Sequence, residues 1–204
     1  MAPRMTLPVL MMLAVAAVAA ATDGADLVLD NARVRAYRTS AGALEGVAHG
    51  PGVVIWLKDS VAGNAGRAIW ADDVAAPLDG DRSEPIVIVQ PLARSSAATR
   101  PPASAAKPGD APFTGMSFVP LFDNARVAVL RARMEEDARE GVHTHASDTI
   151  VVHLSGGEIE DTANGRTVVN RWKPGDVEFE AQGSSHSARN VSHPVDVVLV
   201  ALKP

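Results

Sequence analysis

The stretch His143-Thr144-His145-Ala146-Ser147-Asp148-Thr149-Ile150-Val151-Val152-His153-Leu154-Ser155-Gly156 sets two imidazoles one residue apart, just before a β-branched run. In an extended chain alternate side chains share a face. His143 and His145 therefore point the same way, spaced to grip one cation. Neutral imidazole suits zinc, copper, iron and nickel, but two rings do not make a site, and a third donor must come from another strand. His186 is the candidate. Pro174-Gly175-Asp176 marks a turn, Val177 to Ala181 a short strand, and Gly183-Ser184-Ser185 a second turn that delivers His186 to the next strand. By the same alternation Asn190 shares the face of His186. The plain alternative for all three histidines is a polar strand end near solvent.

The elements that must position these residues are strands. VVIWL (53–57), PIVIVQPL (85–92), RVAVLRARM (126–134), TIVVHL (149–154), RTVVNRW (166–172) and VDVVLVAL (195–202) are short β-branched runs between turn residues. Asn164-Gly165 is a hairpin signal, because both residues tolerate the positive φ angles of a type I′ turn. Helical periodicity is absent, so the expected fold is all-β, a sandwich or barrel. The acidic run Met134 to Glu140 reads as a solvated loop ahead of the histidines.

Residues 1–21 carry Arg4 and then the uncharged apolar stretch Leu7 to Ala21, which predicts a secretory signal peptide and a periplasmic or secreted protein. The stretch is short of the ~20 apolar residues a membrane span needs; a retained anchor is the rival expectation. The chain has no cysteine, so neither a lipoprotein anchor nor a disulfide framework is available. Its net charge of −5 disfavours nucleic acid as a partner. Residues 93–113 are Pro-, Ala- and Ser-rich and read as a linker.

The flanks of that linker repeat one another. Asp30-Asn31-Ala32-Arg33-Val34 recurs as Asp123-Asn124-Ala125-Arg126-Val127. Asn64 to Arg67 answers Asn164 to Arg166, Trp70 to Val74 answers Trp172 to Val177, and Ser83 to Val87 answers Ser192 to Asp196. The matches keep their order, which predicts two copies of one β-unit, 22–92 and 114–204. The first copy has only His49 where the second has its pair, and the place answering His186 falls near Pro77.

His143-x-His145 followed by position 149 and Gly156, and then Gly175, Gly183, His186 and Asn190, resemble in spacing the two motifs of the cupin family. The resemblance covers residues 117–203, and 26–92 only through the repeat. It implies cupin-type double-stranded β-helix (jelly-roll) barrels, with a degenerate first half, as in a bicupin. It also implies a metal held by His143, His145 and His186. Two departures bear on this. Thr149 stands where the family places a carboxylate ligand, and Asp137 stands where it places a glycine. Three-histidine sites occur among cupin-type thiol and diketone dioxygenases. Asp148, Thr149 and Asn190 are the remaining candidates for an additional or supporting role. Asp148 and Glu180 are the available, weak candidates for a general base, whereas His153 is expected to be a hydrogen-bonded core residue, and His49 and His193 exposed.

These observations lead to an exported protein with one divalent metal ion (iron, manganese, zinc, copper or nickel) and a small-molecule partner. Cupins pair through strand edges, so the resemblance also implies a homodimer. Three functions remain open: a metal-dependent, dioxygenase-like oxidoreductase on a small organic molecule, a non-catalytic ligand- or metal-binding protein, and a barrel stapled by a structural metal.

Overall fold

The computed structural model of the chain describes residues 24–58, 65–92 and 113–203. The leader (1–21) and all of the linker except Phe113 lie outside the described residues. The described residues are all-β. The first half carries β1 (Asp26–Asp30), β2 (Val34–Ser40), β3 (Gly52–Trp56), β4 (Ala68–Ala71) and β5 (Pro85–Pro91). The second carries β6 (Thr114–Asp123), β7 (Val127–Thr144), β8 (Thr149–His153), β9 (Gly157–Ala163), β10 (Arg166–Trp172), β11 (Val177–Glu180), β12 (Ser185–Asn190) and β13 (Val195–Leu202).

Two antiparallel sheets result. One has five strands in the order β1-β2-β5-β3-β4. The other has eight, in the order β10-β9-β12-β7-β13-β8-β11 with β6 also on β7, and curls into the jelly-roll. The first sheet repeats the β6-β7-β13-β8-β11 part of the second strand for strand. Val34 pairs Pro91 as Val127 pairs Leu202, Val53 pairs Val89 as Ile150 pairs Val200, and Ile55 pairs Ala68 as Val152 pairs Val177. Both copies open on the same turn: Asn31 Oδ1 accepts the N–H groups of Arg33 and Val34 at 2.7 and 3.0 Å, and Asn124 Oδ1 those of Arg126 and Val127 at 2.7 and 2.9 Å.

Registers correct the other sequence matches. Gly66 stands at Gly175, not at Gly165: Gly66 N donates to Trp56 O and Gly175 N to His153 O, each at 2.8 Å. Pro85 stands at Asp196, since Leu57 N donates to Pro85 O as Leu154 N does to Asp196 O. Asn164-Gly165 closes the β9–β10 hairpin. That hairpin and β12 have no counterpart among the described residues of the first half, which therefore forms one sheet there and closes no second barrel.

The two sheets pack face to face. Val34, Val53, Ile55, Val87 and Val89 of the first meet Val127, Ile150, Val152, Val198 and Val200 of the second in one buried core. This has a consequence for the barrel. The outer face of the β13-β8-β11 sheet is covered by the first half, so the apolar side chains of β11 face out and its polar ones face in. Val177 and Phe179 of β11 turn toward the inter-sheet core, while Glu178 and Glu180 line the barrel cavity.

The strand that carries the histidine pair changes partners along its length. Up to Met134, β7 pairs β13; from Arg139 on, it pairs β12. The bend between these stretches holds Asp137 at φ 61°. That left-handed conformation explains why a glycine is the ordinary occupant of this position, and Asp is among the residues that tolerate it. The acidic run is thus not a loop: it is the bulge of a continuous strand, with Glu135 to Asp137 exposed and Ala138 buried.

Candidate metal centre

Past the bend, His143 pairs directly with His186 across β7 and β12. The turn at Gly183, with φ 82°, is stitched to the end of β7 by Gly183 N to His145 O and His145 N to Ser184 O, both 2.9 Å. Ring centroids of the three histidines lie 4.8, 4.7 and 5.0 Å apart. One ligand atom from each falls within 4.8 Å of the others. The side chains are only 10 to 15% exposed.

Two of the rings are oriented by a hydrogen bond at Nδ1. His143 Nδ1 lies 3.0 Å from Gly141 O, and His186 Nδ1 lies 3.0 Å from Asp161 Oδ1. His145 Nδ1 stands 3.5 Å from Glu180 Oε2. An imidazole whose Nδ1–H is given to an oxygen presents Nε2 to a cation once that nitrogen has given up its own proton. The Nε2 atoms of His145 and His186 are 3.1 Å apart. His143, His145 and His186 are a group that could hold a metal ion.

Carboxylates crowd the same place. Glu140 Oε1 is 3.7 Å from His143 Nε2, and Glu180 Oε1 is 3.7 Å from His186 Nε2. Glu180 pairs with Thr149 across β11 and β8, so it sets a carboxyl beside the position where Thr149 has none. Burial lifts Glu180 to about 8, and the nearby Glu178 charge adds to this; burial likewise lifts Glu178 to about 7, aided by Asp161. Burial depresses His145 to about 4, reinforced by the other two histidines. It acts in the same sense on His186, but the Asp161 hydrogen bond and the Glu180 and Glu140 carboxylates outweigh it and hold that ring up at about 9. Glu140 and Asp161 thus stand beside the rings with two carboxyls, Glu178 and Glu180, that burial inclines to keep their protons.

The other sequence candidates are placed as follows. Asp148 is turned to the interface between the halves, where Oδ2 accepts from Arg33 Nε and Oδ1 from Gln182 N, each at 2.8 Å. Thr149 Oγ1 reaches only Ser147 O, at 3.4 Å. Asn190 is fully buried and braces the bend and the turn after β12: Nδ2 donates to Met134 O, Glu135 O and His193 O. His49 and His193 are exposed. His153 is buried as expected, but it is not hydrogen-bonded: neither ring nitrogen has a partner. The expectation failed because His153 faces the cavity rather than the polar strand ends. Sequence reasoning passed over Glu140, Asp161 and Glu178; the alternation in Val177-Glu178-Phe179-Glu180 carried the signal, but not which face was the interior.

His186 stands at a neck between two spaces. Outside it is a cleft of about 460 Å³ lined by His145, Asn164, Ala181 and Ser184; inside is a cavity of about 80 Å³ whose apolar wall includes Met134, Val151, Ile159 and Leu199. Asp161, Glu178, Glu180 and His186 line both.

Jelly-roll topology with a partly buried histidine triad defines an all-β barrel with a candidate metal centre. No known protein-family model and no curated protein matches the chain. Among solved structures it is similar to a cupin domain from Bordetella pertussis, at 24% identity over 44% of this chain and 95% of that one, TM-score 0.42. It is also similar to an RmlC-like cupin from Shewanella frigidimarina, at 18% identity over 44% and 78%, TM-score 0.38. A third is the polyketide cyclase RemF from Streptomyces resistomycificus, at 18% identity over 44% and 66%, TM-score 0.39.

Proposed function

We propose that this chain is an exported cupin-type protein that holds one divalent cation on Nε2 of His143, His145 and His186 and uses it in a dioxygenase-like oxidation of a small organic molecule. The observation that carries this is the convergence of the rings: one ligand atom from each lies within 4.8 Å of the others, while Nδ1 of His143 and of His186 is each held by an oxygen at 3.0 Å. A cation held there supplies Lewis acidity, and iron would add dioxygen chemistry. Glu180, lifted to about 8, is the group placed to hold or pass a proton beside the triad. The apolar cavity wall excludes water and strengthens each electrostatic contact. The first half, 22–92, fits a degenerate copy retained as an outer sheet, and the leader 1–21 supports export to the periplasm or medium.

Oxygen consumption by the metal-loaded chain across thiols, diketones and phenolics tests the oxidative claim. Uptake with one class, lost in His186→Ala, is the expected result; none with any class removes the oxidative function. The closeness of Glu140 and Glu180 favours a second function, a structural staple in which these carboxylates close the coordination shell. Exchangeable water on the bound metal excludes it.

A further inference from the structure

Beyond the triad the cavity runs on to His153, and that end has no role in metal binding. Thr149, level with Glu180, and His153 lie on the same face of β8, four residues apart, about 13 Å along a strand. His153 is 3% exposed and stacks on Trp172 at 4.5 Å between centroids and 15° between planes. Its peptide group is satisfied by Asp176 and Gly175, at 3.0 and 2.8 Å, but Nδ1 and Nε2 have no hydrogen-bond partner among the described residues. A buried, unpaired polar group costs about 1–3 kcal/mol, so a chain that keeps one facing a cavity gains when something enters to pair it. Burial holds the ring neutral, at about 4, so it offers one donor and one acceptor. Between it and the triad the wall is apolar at Met134, Val151, Val197 and Leu199, with the Glu178 carboxyl and the Asn170 amide as its polar groups.

We propose that the inner cavity binds the remote end of the substrate: a slender uncharged molecule that ligates the metal through oxygen, runs an apolar segment past Val151, and gives a hydroxyl or amide to His153. The inference rests on the metal assignment above and narrows the substrate class. A cavity of about 80 Å³ is smaller than the ~150 Å³ that accepts benzene, which favours a short aliphatic tail over a ring at this end.

The test uses the full chain loaded with Zn²⁺ and two probe series, ω-hydroxyalkanohydroxamates of three to six carbons and plain alkanohydroxamates of equal length. The hydroxamate anchors both series on the metal. At one chain length the hydroxylated probe is expected to bind about tenfold tighter than its plain partner. In His153→Phe, which keeps a flat ring against Trp172, that preference falls below about twofold while Zn²⁺ uptake persists. The ¹⁵N resonances of His153 shift with the hydroxylated probe only, a readout on the wild-type chain that holds if the variant fails to fold. Equal affinity of both series at every length, with Zn²⁺ bound, overturns the inner site and leaves the metal assignment standing. Absence of Zn²⁺ uptake by the wild type overturns both.

Discussion

Where β8 turns His153 into the barrel, β3 of the first half turns Trp56 onto the corresponding face of its own sheet. Register extends the pairing to Val54 and Val151, Ile86 and Val197, Ile88 and Leu199, Ile69 and Glu178, and Ala71 and Glu180. In the first half Val54, Trp56, Ile86 and Ile88 pack with Tyr37, Val47 and Val74 into a closed apolar core. In the second, the matching residues line a cavity. One backbone plan thus gives two interiors. Trp and Ile at the central positions fill the space, whereas His, Val and Glu there, with β9, β10 and β12 as a roof, leave room and supply polar atoms. A sheet's strand order therefore says little about whether its face holds a site; the side chains on that face decide it.

Four experiments probe this difference between the halves. Metal binding belongs to the second half alone. His143→Ala combined with His145→Ala is expected to weaken Zn²⁺ affinity by at least about 100-fold, while His49→Ala leaves it unchanged; isothermal titration reads both. Next, placing the second half's residue in the first half's core, Trp56→His, removes much of a large buried side chain and should cost about 3–5 kcal/mol in urea unfolding. Third, His153 ties acid stability to the cavity. Its folded value of about 4 lies below the ordinary 6.5, so the unfolded chain takes up the proton first and falling pH between those values favours unfolding. The wild type should lose up to about 3 kcal/mol more than His153→Phe over that window; equal losses would mean that the ring is not shielded. Last, the shared turn should respond alike in both halves. Asn31→Ala and Asn124→Ala each remove an oxygen that accepts two backbone N–H groups. Each should cost about 1 kcal/mol, and unequal costs would show that the two turns are held differently.

Much of this was legible in the sequence. Asp-Asn-Ala-Arg-Val announced the repeated turn because its Asn makes the same local hydrogen bonds twice, whatever surrounds it. His143, His145 and His186 were legible because strand alternation and two glycine turns fix where they point. Glu178 was not assigned to the interior, and Glu180 was named only as a candidate base: alternation separates them from Val177 and Phe179 but does not say which face is covered. Here the expected pattern is reversed, since the first half buries the outer face. The repeat misled for a related reason. Asn64-Ala65-Gly66-Arg67 resembles Asn164-Gly165-Arg166 in letters, but Gly66 is bonded into the place of Gly175. Turn residues recur wherever chains reverse, so they mark reversals better than equivalence. The missing carboxylate at Thr149 was visible; that Glu180 stands beside it from the neighbouring strand required the register.

X-ray absorption at the metal edge of the purified full chain tests most directly whether three imidazoles from β7, its C-terminal edge and β12 meet on one cation. With zinc, one ion per chain with three imidazole nitrogens at roughly 2.0–2.1 Å is expected, and loss of that signal in His186→Ala. Two imidazoles or fewer in the wild type, or a spectrum that His186→Ala leaves unaltered, would contradict it.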